Sequence, residues 1–187
     1  YKDIMEIDCN WQDFSSEPAI TIVEPEEDFP LPMFIAMDPP VHDEQRKTVQ
    51  GSVAPANLKL MEETIRSRTQ QVLDDLPIRE QFDWVDRVSI ELTTQMLATL
   101  FDFPFEDRRK LTRWSDVATG DEESGIVESE EARQAELYEC LDYFTRLWHE
   151  REEQGERNDL VSMLAQGEAT KNMTPQEYLG NLILLIV

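Results

Sequence analysis

The sequence predicts a mainly α-helical fold, and three observations lead to that prediction. From residue 38 onward, apolar residues recur at intervals of three and four, the period of a helix with one buried face. Ser, Thr, Asp and Pro stand where such stretches begin, as helix starts favour. No stretch alternates apolar and polar residues for long enough to predict a strand.

The first two predicted helices follow a proline-rich start. Residues 1–37 carry few helical signals, because four prolines interrupt them. Asp38-Pro39-Pro40 combines an N-cap acceptor with prolines that fit a first helical turn, so a helix is expected over about 38–50. A second helix follows Pro55, and its predicted buried positions are Leu58, Met61, Ile65, Val72 and Leu76.

Two helices in the middle of the chain are predicted from apolar spacing. The stripe of the third helix is Val85, Val88, Leu92, Met96 and Leu100. The fourth helix begins at Pro104, and its predicted buried side is Leu111, Trp114 and Val117. A polar loop is expected over 119–128, because this stretch contains Gly and several acids.

Three further helices are predicted after that loop. Ser129 caps a long helix, whose predicted buried stripe is Leu137, Leu141, Phe144 and Trp148. Residues 159–166 form a short helix. Thr174-Pro175-Gln176-Glu177 is a capping box with proline at the first helical position, and it opens the last helix.

Charge and cysteine content exclude several classes of protein. The chain has 17 Lys and Arg against 40 Asp and Glu, a net charge of −23. Nucleic-acid binding and docking on an anionic membrane both need basic surfaces, so neither is expected. Two cysteines do not make a disulfide framework, which favours a reducing, cytoplasmic location.

Residues 182–187 are all apolar. This run is too short to span a bilayer, which needs ~20 residues. A helix that is apolar on all sides belongs inside a large protein, so we expect the sequence to be a piece that ends within a buried helix. A buried terminal strand or a short tail helix is the alternative.

His42 and Arg46 form the one candidate pair for chemistry. They are four residues apart and therefore share a helix face, where they would suit a carboxylate or phosphate. An ordinary surface pair bridged to Asp43 or Glu44 would give the same pattern, and without further context it is the commoner case. The sequence has no His-Glu-x-x-His, Cys-x-x-Cys or P-loop motif, so no metal or nucleotide site is predicted.

Residues 34–47 read Phe-Ile-Ala-Met-Asp-Pro-Pro-Val-His-Asp-Glu-Gln-Arg-Lys. This stretch resembles the segment that enters helix C of bacterial cytochrome P-450 enzymes, Asp-Pro-Pro-x-His-x-x-x-Arg. The later predicted helices match helices D to H in order and spacing, and 174–187 resembles the start of helix I. The resemblance implies a partial, truncated domain over 1–187, with 1–37 as the B–C region and preceding loop and 38–187 as helices C to the start of I.

The resemblance also implies a cofactor, haem b, whose propionates would be bound by His42 and Arg46. The family's iron ligand is a Cys in a Phe-x-x-Gly-x-x-x-Cys loop, which is not in this sequence, so neither a catalytic residue nor a metal ligand is assigned. The implied activity is O2- and NAD(P)H-dependent hydroxylation, with electrons delivered by a ferredoxin and a ferredoxin reductase. The chain alone is expected to be inactive.

Residues 45–49, 82–92 and 111–116 are similar to soluble bacterial alkane hydroxylases, which implies terminal hydroxylation of medium-chain alkanes. A fatty acid or terpene substrate, or a haem-free helical interaction module, are the alternatives. The resemblance places six residues at the substrate or its access channel, and plain core packing is the alternative for each: Phe34, Ile35, Val117, Ala118, Leu184 and Val187. Lys47 is a candidate for docking the ferredoxin, although the net charge of −23 opposes attraction to an acidic partner.

Overall fold

Helices make up the regular structure of the computed structural model, which describes residues 1–20, 29–120, 124–155 and 157–187. Within these ranges there are eight α-helices and no strand, so the mainly α prediction is confirmed. The α-helices are α1 Lys2–Asp8, α2 Val41–Val49, α3 Pro55–Asp74, α4 Glu91–Phe101, α5 Arg109–Thr119, α6 Glu130–Gln154, α7 Leu160–Gln166 and α8 Pro175–Ile186. Shorter pieces are the 3-10 turns Phe34–Ala36, Gln50–Val53 and Phe105–Asp107 and the π-helical segment Val85–Ile90.

The core lies where α5, α6 and α8 pack together. Leu111, Trp114 and Val117 of α5 are fully buried, as the spacing predicted. Around Trp114, aromatic rings meet edge to face or stacked, and the centroids of Phe103 and Tyr143 are 4.8 Å apart. Such aromatic pairs contribute about 0.5–1.5 kcal/mol each beyond the burial of their area.

Three predicted helix starts are confirmed by their capping hydrogen bonds. Ser129 Oγ accepts from the backbone N–H of Ala132 at 3.2 Å, and Asp159 Oδ1 accepts from that of Ser162 at 2.9 Å. In the capping box, the Thr174 hydroxyl accepts from the backbone N–H of Glu177, and the Glu177 carboxylate accepts from the backbone N–H of Thr174. These contacts are local, so the sequence pattern alone was enough to predict them.

Two expectations for the first 50 residues were wrong. Asp38 does not cap α2, which begins at Val41; its carboxylate instead accepts a hydrogen bond from the backbone N–H of Ser16 at 3.1 Å. The stretch 1–37 contains a helix, α1, that was not predicted. The prolines that argued against a helix all follow α1, and α1 has no buried residue that would mark a core-facing side.

The predicted buried stripe of the third helix was also wrong. The residues that α4 buries are Thr94, Gln95, Ala98 and Phe101. Val85 is 57% exposed, and the rest of the expected stripe is only partly buried. Val85 and Val88 lie within the π-helical segment Val85–Ile90, whose turns hold more residues than those of an α-helix and so shift these positions relative to the face of α4. Leu92, Met96 and Leu100 lie in α4 itself, beside the face that the helix buries. In α3, similarly, only Val72 of the expected stripe is buried.

The loop before α6 agrees with the expected range at both ends, since α5 ends at Thr119 and α6 begins at Glu130. Residues 121–123 of this predicted loop lie outside the described residues. Across the described ranges, no helix is both long and apolar enough to cross a bilayer.

Candidate functional site

His42 and Arg46 lie one turn apart on α2, as predicted, and differ in exposure. His42 is half-buried and Arg46 is exposed. No described residue forms an ion pair or hydrogen bond with the Arg46 guanidinium, so the expected alternative of a bridge to Asp43 or Glu44 is not formed. By contrast, the Arg108 guanidinium in the same acidic chain pairs with the Glu91 carboxylate at 2.8 Å. Arg46 is therefore free to bind an anion.

The His42 ring has a defined proton position. Its Nδ1 lies 2.8 Å from the carbonyl oxygen of Phe34. A carbonyl oxygen only accepts hydrogen bonds, so Nδ1 must carry the proton and donate it. Nε2 then has no proton in the neutral ring and donates a hydrogen bond only when the ring is an imidazolium. The Phe34 ring lies edge-on to the imidazole, with centroids 6.2 Å apart.

The turn that supplies this carbonyl is held by α8. The backbone N–H of Phe34 donates to Asn181 Oδ1 at 2.8 Å. The Nδ2 of the same asparagine donates to Oε1 of Gln45 on α2 at 3.0 Å, and both side chains are buried. Beside it, a Cβ on Gly180 would overlap the carbonyl oxygen of Pro32 and lie 2.7 Å from its carbonyl carbon. The chain before α2 therefore crosses α8 in direct contact.

Sequence reasoning missed Gly180, Asn181 and Gln45. The available signal was Gly-Asn inside an otherwise apolar helix, because a polar side chain in such a position needs a partner. The partner could not be identified from sequence, since Phe34 is 147 residues away.

The residues present fit a dicarboxylate such as the propionates of haem. A guanidinium offers two parallel N–H donors that match a carboxylate, and an imidazolium one turn away on the same face offers a further charged donor. The cysteines do not suit iron ligation. Burial raises the pKa of the Cys140 thiol, which therefore stays protonated in the core, and Cys9 lies on the exposed α1 end.

The structure separates the six predicted substrate residues into different surroundings. Phe34 is buried and Ile35 is 37% exposed in the turn next to His42. Leu184 is partly buried against the core in α8, and Val187 at its end is 66% exposed. In α5, Val117 is fully enclosed in the core, and the next residue, Ala118, packs partly against it.

Among curated proteins, the chain is similar to bacterial monooxygenases. It is 28% identical over 155 residues to linalool 8-monooxygenase of Pseudomonas putida, a match that covers 82% of the chain and 38% of that protein. It is 25% identical over 193 residues to steroid C26-monooxygenase of Mycolicibacterium smegmatis, covering 100% of the chain and 44% of that enzyme. The chain thus spans about two fifths of the length of these relatives. No family model matches the chain.

Solved structures show closer likenesses. Cytochrome P-450-153 from Novosphingobium aromaticivorans is 47% identical with a TM-score of 0.77, covering 95% of the chain and 43% of that structure. CYP153D17 from Sphingomonas sp. is 46% identical with a TM-score of 0.81, and the match covers 100% of the chain and 48% of that structure. Together with the helical architecture, these curated and structural neighbours identify the chain as a member of the bacterial cytochrome P-450 family, matched over part of the length of its relatives.

Proposed function

We propose that the protein carrying this chain is a haem-thiolate monooxygenase in which His42 and Arg46 bind the haem propionates. The observation that supports this most directly is that the Arg46 guanidinium, one helical turn from His42, has no partner among the residues that the structure describes, in a chain with a net charge of −23. When bound, haem with its thiolate ligand supplies the chemistry that inserts one atom of O2 into a C–H bond.

The role of the two side chains is to hold and orient the cofactor. The Arg46 guanidinium would donate to the propionates, and His42 would donate from Nε2 when its ring is an imidazolium. Hydrogen bonds to charged groups contribute about 1.5–3 kcal/mol each, so the pair accounts for a substantial part of propionate binding. Because Nδ1 of His42 is occupied by the Phe34 carbonyl, the ring cannot rotate without losing that bond.

The proposed substrate is apolar, and the specific proposal is terminal hydroxylation of a medium-chain alkane. The alkane assignment is supported by the resemblance of residues 82–92 and 111–116 to alkane hydroxylases. An alkane has no polar group, so its binding depends on burial, at about 0.8 kcal/mol per CH2. We assign Phe34, Ile35, Leu184 and Val187 to the substrate pocket, and Val117 and Ala118 to the region of its access channel.

A terpene, steroid or fatty acid is the second candidate substrate. It is favoured by the names of the curated relatives, which act on linalool and on a steroid. Product analysis of the haem-loaded enzyme with octane and with linalool separates the two. An Ile35→Phe variant should change the preferred alkane chain length, and an unchanged product profile would argue against Ile35 in the pocket.

The proposed electron supply is NAD(P)H through a ferredoxin reductase and a ferredoxin. Lys47 is exposed beside Arg46 and is a candidate contact for an acidic ferredoxin. If charge guides this encounter, the rate of reduction should fall as salt is added. A rate that does not depend on salt would remove Lys47 from this role.

Arg46→Ala tests the central proposal. We expect the haem-loaded protein to lose haem faster and to be purified with less of it, because a charged donor to the propionates is gone. Haem per polypeptide, measured from the pyridine haemochrome, is the readout. Arg66→Ala is the matched control, since Arg66 forms an exposed ion pair with Glu62 on α3. Full haem retention in Arg46→Ala would overturn the proposal.

A further inference from the structure

We infer that Asn181 and Gly180 of α8 position His42 for the cofactor by holding the Phe34 peptide. Asn181 is then a positioning residue of the haem site, although it lies on a different helix. The inference rests on the proposed function, because it assumes that His42 binds a propionate.

Asn181 is fully buried in the largely apolar helix α8, and both ends of its amide are used. Oδ1 accepts from Phe34 N at 2.8 Å, and Nδ2 donates to Gln45 Oε1 at 3.0 Å and lies 3.1 Å from the Met173 sulfur. A buried amide without partners would be destabilising, and an aliphatic residue would pack here without that cost. What the amide adds is a directional connection between α8, the turn before α2, and α2 itself.

Gly180 allows this connection to form. The atoms that a Cβ at this position would overlap are the carbonyl oxygen and carbon of Pro32, which belong to the backbone. Backbone atoms cannot move aside as a flexible side chain can, so a larger residue would push the 31–34 segment away from α8. At that greater separation, the Asn181 amide would no longer reach Phe34 N.

The connection continues to His42 through a single residue. Phe34 is held by Asn181 at its N–H, and its carbonyl oxygen accepts the proton of His42 Nδ1. The same carbonyl also accepts from the backbone N–H of Met37 at 3.2 Å within the 3-10 turn, so Asn181 holds the turn against α8 and the turn presents the carbonyl to His42. The carbonyl in turn determines which ring nitrogen carries the proton. With Nδ1 protonated, Nε2 donates to a propionate only as an imidazolium. Haem release should consequently become faster as pH rises and His42 becomes neutral.

Few other ionisable groups face His42. The two 3-10 turns packed against α2, Phe34–Ala36 and Gln50–Val53, carry none, and neither does α7. On α8, Glu177 is bound in the capping box and Tyr178 donates to the carbonyl of Phe144. The remaining charges are Asp38, just before α2, and Asp43, Glu44, Arg46 and Lys47 on α2 itself. A pH step in haem release can therefore be traced to His42 by substituting it.

The test is Asn181→Ala in the haem-loaded protein, with haem transfer to excess apomyoglobin followed by absorbance across pH. We expect haem release to be about 10-fold faster at low pH, the effect typical of losing an outer partner of a ligating group. We also expect the pH step to disappear. Without a fixed Phe34 carbonyl, a neutral His42 ring can place its proton on Nε2 and still donate to the propionate.

Leu179→Ala is the matched control, because Leu179 is buried on the same helix and provides packing without a polar connection. It should lower stability but keep the pH step. If Asn181→Ala keeps the step as fully as Leu179→Ala does, the positioning role is refuted. If Asn181→Ala does not fold, Asn181→Asp decides. The aspartate keeps an acceptor for the Phe34 N–H, and it can also accept from the Gln45 amide on α2 once that amide rotates. The pH step should therefore persist in Asn181→Asp, and loss of the step would refute the inference.

His42→Gln separates this inference from the function on which it rests. Glutamine donates without titrating, so the pH step should be absent in this variant. If His42→Gln releases haem at the wild-type rate and with the wild-type step, His42 is not a propionate ligand and the proposed function fails. If the step depends on His42 but not on Asn181, only the positioning role fails.

Discussion

The core around α5 and α6 and the site at the start of α2 are held together by different interactions. In the core, fully buried apolar and aromatic side chains such as Trp114 and Phe144 pack against one another. At the site, one buried amide, Asn181, bonds to Phe34 and Gln45, which are 147 and 136 residues away in sequence. The first region depends on buried area and the second on the direction of a few hydrogen bonds.

This difference suggests that the two regions fail in different ways. Hydrophobic burial is non-directional and roughly proportional to area, so a deletion in the core costs stability. A hydrogen bond depends steeply on distance and angle, so a small displacement at the site changes geometry before it changes stability. Substitutions in the core should thus lower the free energy of unfolding, whereas substitutions at Gly180 or Asn181 should act more strongly on cofactor retention.

The largest expected effect on stability is that of Trp114→Ala. Trp114 is 1% exposed and packs against Phe103 and Phe144, so the substitution leaves a large cavity. The free energy of unfolding, measured by urea denaturation, should fall by about 3–5 kcal/mol. Trp84→Ala is the control, since Trp84 is 54% exposed. An equal loss in both variants would contradict the assignment of the core.

Gly180→Ala should have a smaller effect on the free energy of unfolding than Trp114→Ala and a larger effect on the rate of haem release. Forcing a Cβ against the Pro32 backbone should cost about 1–3 kcal/mol. Haem release should accelerate as in Asn181→Ala. Gly51→Ala is the control, because its added Cβ would lie 3.8 Å from the Met163 methyl group, an ordinary contact. If Gly180→Ala lowers stability but leaves haem release unchanged, the two regions do not differ in the way proposed.

The smallest expected effect is that of Glu91 on the pH dependence of stability. Burial alone would raise the pKa of Glu91, but hydrogen bonds from Gln95 and Arg108 and the charges of Arg108 and Arg109 hold it below its ordinary value. A carboxylate with a lowered pKa stabilises the fold at neutral pH, and that contribution is lost as pH falls through its folded-state pKa.

Glu91→Gln should therefore cost about 1.5 kcal/mol at pH 7 and make stability less sensitive to acid below about pH 5. Urea denaturation at several pH values is the measurement. Glu62→Gln, which breaks an exposed pair with Arg66, is the control and should change little. An acid response identical to that of the unsubstituted protein would show that Glu91 does not contribute to it.

The parts of the fold that were predictable are those determined by neighbours in sequence. The starts of α6, α7 and α8 were predicted because each capping side chain bonds to a backbone N–H three residues on. The buried side of α5 was predicted because Leu111, Trp114 and Val117 follow the helical period. The buried face of α4 was not predicted, because two of the residues it buries, Thr94 and Gln95, are polar and therefore do not appear in a pattern of apolar spacing.

The sequence by itself determined that the chain is helical, where α3, α6, α7 and α8 begin, and that His42 and Arg46 share a helix face. These features depend on spacings of three and four residues, and residues at those spacings lie next to each other on one face of a helix. Only the tertiary structure decided that Arg46 has no acidic partner among the described residues, that Phe34 orients the His42 ring, and that Asn181 holds Phe34. Those contacts depend on how distant helices pack, and no local pattern encodes which residues that packing brings together.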